Sequence, residues 1–174
     1  MLRKFGIIAV LSLLVTAVAA VPALAQNPHF LPNRGPTAVD EGLTLNATGT
    51  LFGLGNEGGT IQLVAQGAIQ VACVNPSGQQ EPPGQQPAPT TLTSPVVQIN
   101  PEDVTRSGQF QFDLDTTAPT LAQVPAGTCK TTPGWTTRIT DVVFTSYSIV
   151  VVDAQSGETT TLGPFTNITP TPTL

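Results

Sequence analysis

From residue 42 onward, apolar and polar side chains alternate with a period of two, the pattern of strands with one buried and one wetted face. Leu43, Leu45, Ala47 and Leu51 share one face, and Thr44, Asn46, Thr48 and Thr50 share the other. A glycine-rich turn at 53–59 leads into the clearest alternation in the chain. There Ile61, Leu63, Ala65, Gly67, Ile69, Val71 and Cys73 point one way, with Gln62, Gln66 and Gln70 pointing the other. These two segments predict a hairpin of an antiparallel sheet. At about 3.3 Å per residue the run 60–73 would extend about 46 Å, so Gly67 is expected to mark a bend or bulge. Further strands are predicted at 91–99, 109–115, 135–152 and 158–165. Within 135–152 the phase slips across Asp141-Val142-Val143-Phe144, which predicts a bulge there, or two strands in place of one.

Between these runs the pattern stops. Residues 26–41 hold prolines and no sustained period and read as an extended leader. Residues 75–89 contain five prolines, four glutamines and two glycines, which suit a long loop and no central strand. The strands on either side of that loop are too few to close a sandwich alone, so it lies inside one domain, 42–166. Residues 153–157 read as a hairpin turn, and 167–174 as a frayed Thr/Pro tail. Six or seven strands with no helical period predict an all-β fold, an antiparallel β-sandwich of immunoglobulin-like architecture.

The first 25 residues change the picture from fold to destination. Arg3 and Lys4, the apolar run 7–21 and the small residues Ala23 and Ala25 have the form of a cleavable signal peptide, with the mature chain starting at Gln26. Removing it leaves four cations, Arg34, Arg106, Lys130 and Arg138, against eleven carboxylates, a net charge near −7. Such a surface repels a phosphate backbone, so no nucleic-acid partner is expected. No later apolar run approaches the roughly 20 residues of a membrane helix, so no membrane insertion is expected after cleavage. The expected location is secreted, extracellular or cell-surface.

In an oxidising compartment the two cysteines, Cys73 and Cys129, are expected to form one disulfide. A metal site would need more ligands than these two and one histidine supply. The cysteine spacing suits an immunoglobulin domain, but Trp135 follows both cysteines and no tyrosine stands two places before Cys129. Through Cys73-Val74-Asn75-Pro76, Pro83-Gly84-Gln85-Gln86-Pro87-Ala88-Pro89 and Ile139-Thr140-Asp141-Val142-Val143-Phe144-Thr145-Ser146, the chain resembles a loose group of small exported bacterial proteins of unassigned activity. The resemblance covers much of residues 45–152. It implies export and a β fold, and carries over no catalytic residue.

Candidate chemistry is sparse. The only histidine, His29, lies in the leader and is not expected to serve as a general base. Asp113 and Asp115 share a strand face about 7 Å apart, a spacing that suits half of a calcium site or a glycosidase pair, but also two solvated carboxylates on the wet side of a sheet. Trp135, the only tryptophan, is a candidate platform for a sugar ring if exposed. Lys130 and Trp135 follow Cys129, and the 75–89 loop leaves directly from Cys73. A binding surface is therefore expected at the end of the sandwich where the disulfide ties two long loops. Two sequons occur, at Asn46 and Asn167. The expectation is a non-enzymatic, cofactor-free β-sandwich with a structural or interaction role toward an extracellular protein or glycan. The alternative is a carbohydrate-binding module using Trp135. A carboxylate-dependent hydrolase or calcium-binding module using Asp113 and Asp115 comes third.

Overall fold

A computed structural model describes residues 27–55, 58–79, 88–129 and 133–170. The expected signal-peptide segment, the middle of the Pro/Gln-rich stretch and Lys130 lie outside them. Within the described residues the protein is all-β, with nine strands in two sheets. Strands β1 (Thr37–Asp40), β2 (Leu45–Leu51), β6 (Phe110–Asp115) and β9 (Ile168–Pro170) form a four-stranded sheet in the order β6-β2-β1-β9. Strands β3 (Gly59–Val74), β4 (Ala88–Thr93), β7 (Thr136–Asp153) and β8 (Thr159–Phe165) form the other in the order β4-β3-β7-β8, and β5 (Val97–Ile99) pairs with β3. All pairings are antiparallel except β1 with β9, which run parallel.

The inner faces meet in one core, so the arrangement is sandwich-like. Leu45, Ala47, Leu51, Phe112 and Leu114 face it from the smaller sheet, and Ile61, Leu63, Ala65, Ile149 and Val151 from the larger. These are the positions that the period-two pattern assigns to the buried face. Leu43, placed on that face by the pattern, precedes β2 and is 37% exposed.

The longest predicted strands carry the expected irregularities. Strand β7 is continuous over 18 residues, but its register against β3 shifts twice, between Gln66 and Gly67 and between Gln70 and Val71. The residues left without a partner are Thr145 and Thr140, one on each side of the segment where the phase slips. Each threonine hydroxyl donates to the β3 carbonyl at its break, Thr145 to Gln66 and Thr140 to Gln70, both at 3.2 Å. A bulge leaves ladder groups unpaired, and these hydroxyls replace part of what is lost. Gly67 permits the crossing: a Cβ there would stand 2.8 Å from the Val143 carbonyl oxygen.

Other boundaries differ from expectation for local reasons. The predicted strand 91–99 is two strands, because Pro95 has no N–H to give the ladder. Ser94 bridges the gap, its Oγ accepting from the Leu63 N–H at 3.0 Å and its own N–H donating to the Leu63 carbonyl at 2.9 Å. The strand count exceeds six or seven because β1, β5 and β9, of four, three and three residues, are too short to show a period. Two of them fall where a leader and a tail are expected. Strand β1 lies in the interior of the smaller sheet, and β9 flanks it.

Tyr147 joins these terminal strands to the larger sheet. Its hydroxyl, 1% exposed with its ring, donates to the Pro36 carbonyl at 2.9 Å and lies 3.2 Å from Asn167 Oδ1. The Asn167 amide donates to the same carbonyl at 2.8 Å. Burial pushes the phenol pKa up to about 12, against a smaller downward pull from the Asn167 side chain.

Candidate functional site

At one end of the larger sheet, Cys73 and Cys129 are bonded, with Cα atoms 5.5 Å apart. Cys73 is the penultimate residue of β3, and Cys129 is the last described residue of the irregular stretch that begins after β6. That segment is shaped by its own polar groups. The Thr120 N–H donates to Gln123 Oε1 at 2.8 Å across a 3-10 turn, Leu121–Gln123, and the Thr128 hydroxyl donates to the Pro125 carbonyl at 2.6 Å. The segment lies against the start of β7 and encloses with it an open cavity of about 480 Å³, lined by Leu121, Val124, Pro125, Cys129, Thr136 and Thr137 among others. Leu121 is 56% exposed, a large apolar side chain at the rim of a concave, tethered loop.

The roots of the two long loops touch here. Asn75 accepts the N–H groups of Ser77 and Gln79 on its side-chain oxygen at 3.0 and 2.9 Å, closing a turn before the Pro/Gln loop departs. Gly134, at φ +89°, lies so close to Pro76 that a Cβ would be 2.7 Å from Pro76 Cγ. Trp135 follows it, half-buried, next to the first residue of β7. Thus the structure brings together Cys73, Cys129, the base of the Pro/Gln loop and the segment carrying Trp135. Leu121 and Val124 were not singled out by sequence reasoning, because nothing periodic surrounds them.

The carboxylate candidates are elsewhere. Asp113 and Asp115 stand on the outer face of the smaller sheet, and both accept from the one Asn46 side-chain amide, at 2.7 and 2.9 Å. Both are exposed, which fits the wet-face reading of their alternation with Phe110, Phe112 and Leu114. Among the described residues no group of three or more His, Cys, Asp or Glu side chains could hold a metal ion. His29 is exposed and donates from Nδ1 to the Asn27 carbonyl at 2.7 Å. A different pair of acids comes together through the tertiary fold: Asp40 at the end of β1 and Asp141 in β7. Burial raises the Asp40 pKa, the Gly42 N–H at 2.8 Å opposes the rise, and the Asp141 charge adds to it.

The fold and this end define a disulfide-tied, two-sheet β protein with loops gathered at one edge. No known protein family and no curated protein sequence matches this chain. Among the described residues no helix is long and apolar enough to cross a membrane.

Proposed function

We propose that this is an exported or cell-surface, non-enzymatic β-sandwich of immunoglobulin-like architecture, akin to the small exported bacterial proteins it resembles, that works by binding a partner at its disulfide end. The observation that carries the reading is the concave surface at Cys129. A cavity of about 480 Å³ with an exposed leucine at its rim sits on a loop held covalently to the sheet. Apolar recesses of this size with a few polar groups are the usual form of a binding site, and a tethered loop loses little entropy on engaging a partner. The partner class is an extracellular protein or glycan. The signal-peptide pattern supports export, and the disulfide is compatible with it.

The test uses the mature protein and two variants, Leu121→Asp and Trp135→Ala, against the surface fraction of the producing cell. Leu121→Asp should lose binding while its unfolding midpoint stays near that of the parent. Equal binding by parent and Leu121→Asp overturns the site. Loss in Trp135→Ala alone would favour the carbohydrate-binding alternative. The recovered protein should begin at Gln26, and a retained Met1 on exported protein would overturn export.

A further inference from the structure

The outer face of the smaller sheet carries a second recess, of about 370 Å³, between the β1–β2–β6 surface and the turn before β1. Its lining is polar and almost uncharged: Thr50 and Gln111 offer a hydroxyl and an amide, Arg34 offers a guanidinium, and Thr48 and Gln109 line it while bonded to Thr37 and Ser107. Strand geometry places Thr48 and Thr50 about 7 Å apart, with Gln111 opposite Thr50 on β6. Phe52 lines one side, and its ring lies 6.2 Å from that of His29, centroid to centroid. Within the described residues the Arg34 guanidinium, the Thr50 hydroxyl and the Gln111 amide have no protein partner. In a chain with more carboxylates than cations, an arginine beside the unengaged Gln111 amide, with no acid paired to it among the described residues, is a position open to an outside anion.

From this geometry we infer that the recess binds an acidic sugar: a uronic acid within an otherwise neutral oligosaccharide. A guanidinium presents paired N–H donors that match a planar carboxylate. The threonines and glutamines are of the type and spacing that engage ring hydroxyls, and an aromatic side chain such as Phe52 suits the apolar face of a pyranose. The face itself limits the charge. Asp113 lies opposite Thr48 on β6, about 7 Å beyond Gln111, and Asn46 holds it in place. A carboxylate on the next sugar would meet Asp113, whereas a neutral sugar would give it a hydroxyl. The site therefore takes one acid per ligand. It is separate from the disulfide end and independent of the function proposed there.

The experiment is calorimetric titration of the mature protein, at low salt, with a glucuronic-acid-bearing xylo-oligosaccharide, the unsubstituted xylo-oligosaccharide and an oligogalacturonate of equal length. The acid-bearing neutral chain should bind best. Arg34→Gln should weaken it by about ten- to a hundredfold, the worth of a hydrogen-bonded charged group, and Gln111→Ala by less. Trp135→Ala and Leu121→Asp should leave it unchanged. Equal affinity for the unsubstituted chain, tighter binding of the oligogalacturonate, or full retention in Arg34→Gln overturns the assignment. So does failure of the parent to bind the acid-bearing chain.

Discussion

In the half of the β3–β7 ribbon made by residues 59–69 and 142–153, side chains at 0–1% exposure follow one another: Ile61, Leu63, Ala65 and Ile69 on one strand, Val142, Tyr147, Ile149 and Val151 on the other. The smaller sheet covers them. In the half made by 70–74 and 136–140, only Ala72 and Cys73 are buried, and no residue of 136–140 is. Strand pairing is continuous through both halves, apart from the two bulges. What differs is the cover: packed aliphatic side chains over the first, and over the second a thin irregular loop fixed by one covalent bond. Apolar burial supplies about 25 cal/mol per Å² where a second layer exists. Where it does not, a crosslink that restricts the unfolded chain can substitute. The binding surface proposed at the Cys129 loop sits in the second half, where only partly buried side chains such as Val71, Val124 and Ile139 reach the core.

Removing the bond should expose that contrast most. The disulfide closes a loop of sequence separation 56, for which chain entropy gives about 4 kcal/mol. Cys73→Ala with Cys129→Ala should lower stability by up to that amount. It should also speed amide exchange in 70–74 and 136–140 well before 59–65 and 147–153. Uniform exchange along the ribbon would show that the two halves are one cooperative unit.

The junction is the next place to break the ribbon. In Gly67→Ala the new methyl would lie 2.8 Å from the Val143 oxygen and 3.2 Å from Phe144 Cα. Overpacking against backbone should cost about 1–3 kcal/mol, read as a lower urea midpoint with unchanged slope. An unaltered midpoint would mean that β7 can move away freely at its bulge.

Within the packed half, Tyr147→Phe should cost about 1 kcal/mol, since Pro36 keeps its bond from Asn167. Its pH dependence is more informative. The native phenol titrates at about 12 and the unperturbed group at 10.0. Its contribution is therefore complete below pH 10 and declines as pH rises from 10 toward 12, because the unfolded chain ionises first. The phenylalanine variant lacks that decline, so the gap between the two proteins should narrow over this interval. A gap that stays constant in urea midpoints measured from pH 9 to 11.5 would contradict a buried, neutral hydroxyl.

How much of this was readable depended on length and period. Leu45 to Leu51 and Ile61 to Ile69 gave long alternations whose buried faces are the observed ones, and Gly67 carried its own mark as a residue without a side chain in a strand. Strands β1 and β9 gave no such signal. Thr37–Asp40 and Ile168–Pro170 are strands because each lies beside the other and β1 beside β2, and Tyr147 ties the residues before both to the core. Of the site, the Cys73–Cys129 bond was legible from cysteine number and the expected compartment. The cavity rim at Leu121 was not, since an aperiodic segment gives no orientation for its side chains.

The sequence by itself determined that the described domain is all-β, which side of each long strand is buried, and that its two cysteines have only each other to pair with. Period-two patterning and cysteine number are local or compositional facts, and no neighbour is needed to read them. Tertiary structure alone decided that the two ends of the domain lie side by side in one sheet. It also decided that Asp40 faces Asp141, and that Arg34 stands over threonines and glutamines contributed by β2 and by residues around β6. Each of these depends on which strand lies beside which, and strand order is set by how two sheets close over a shared core.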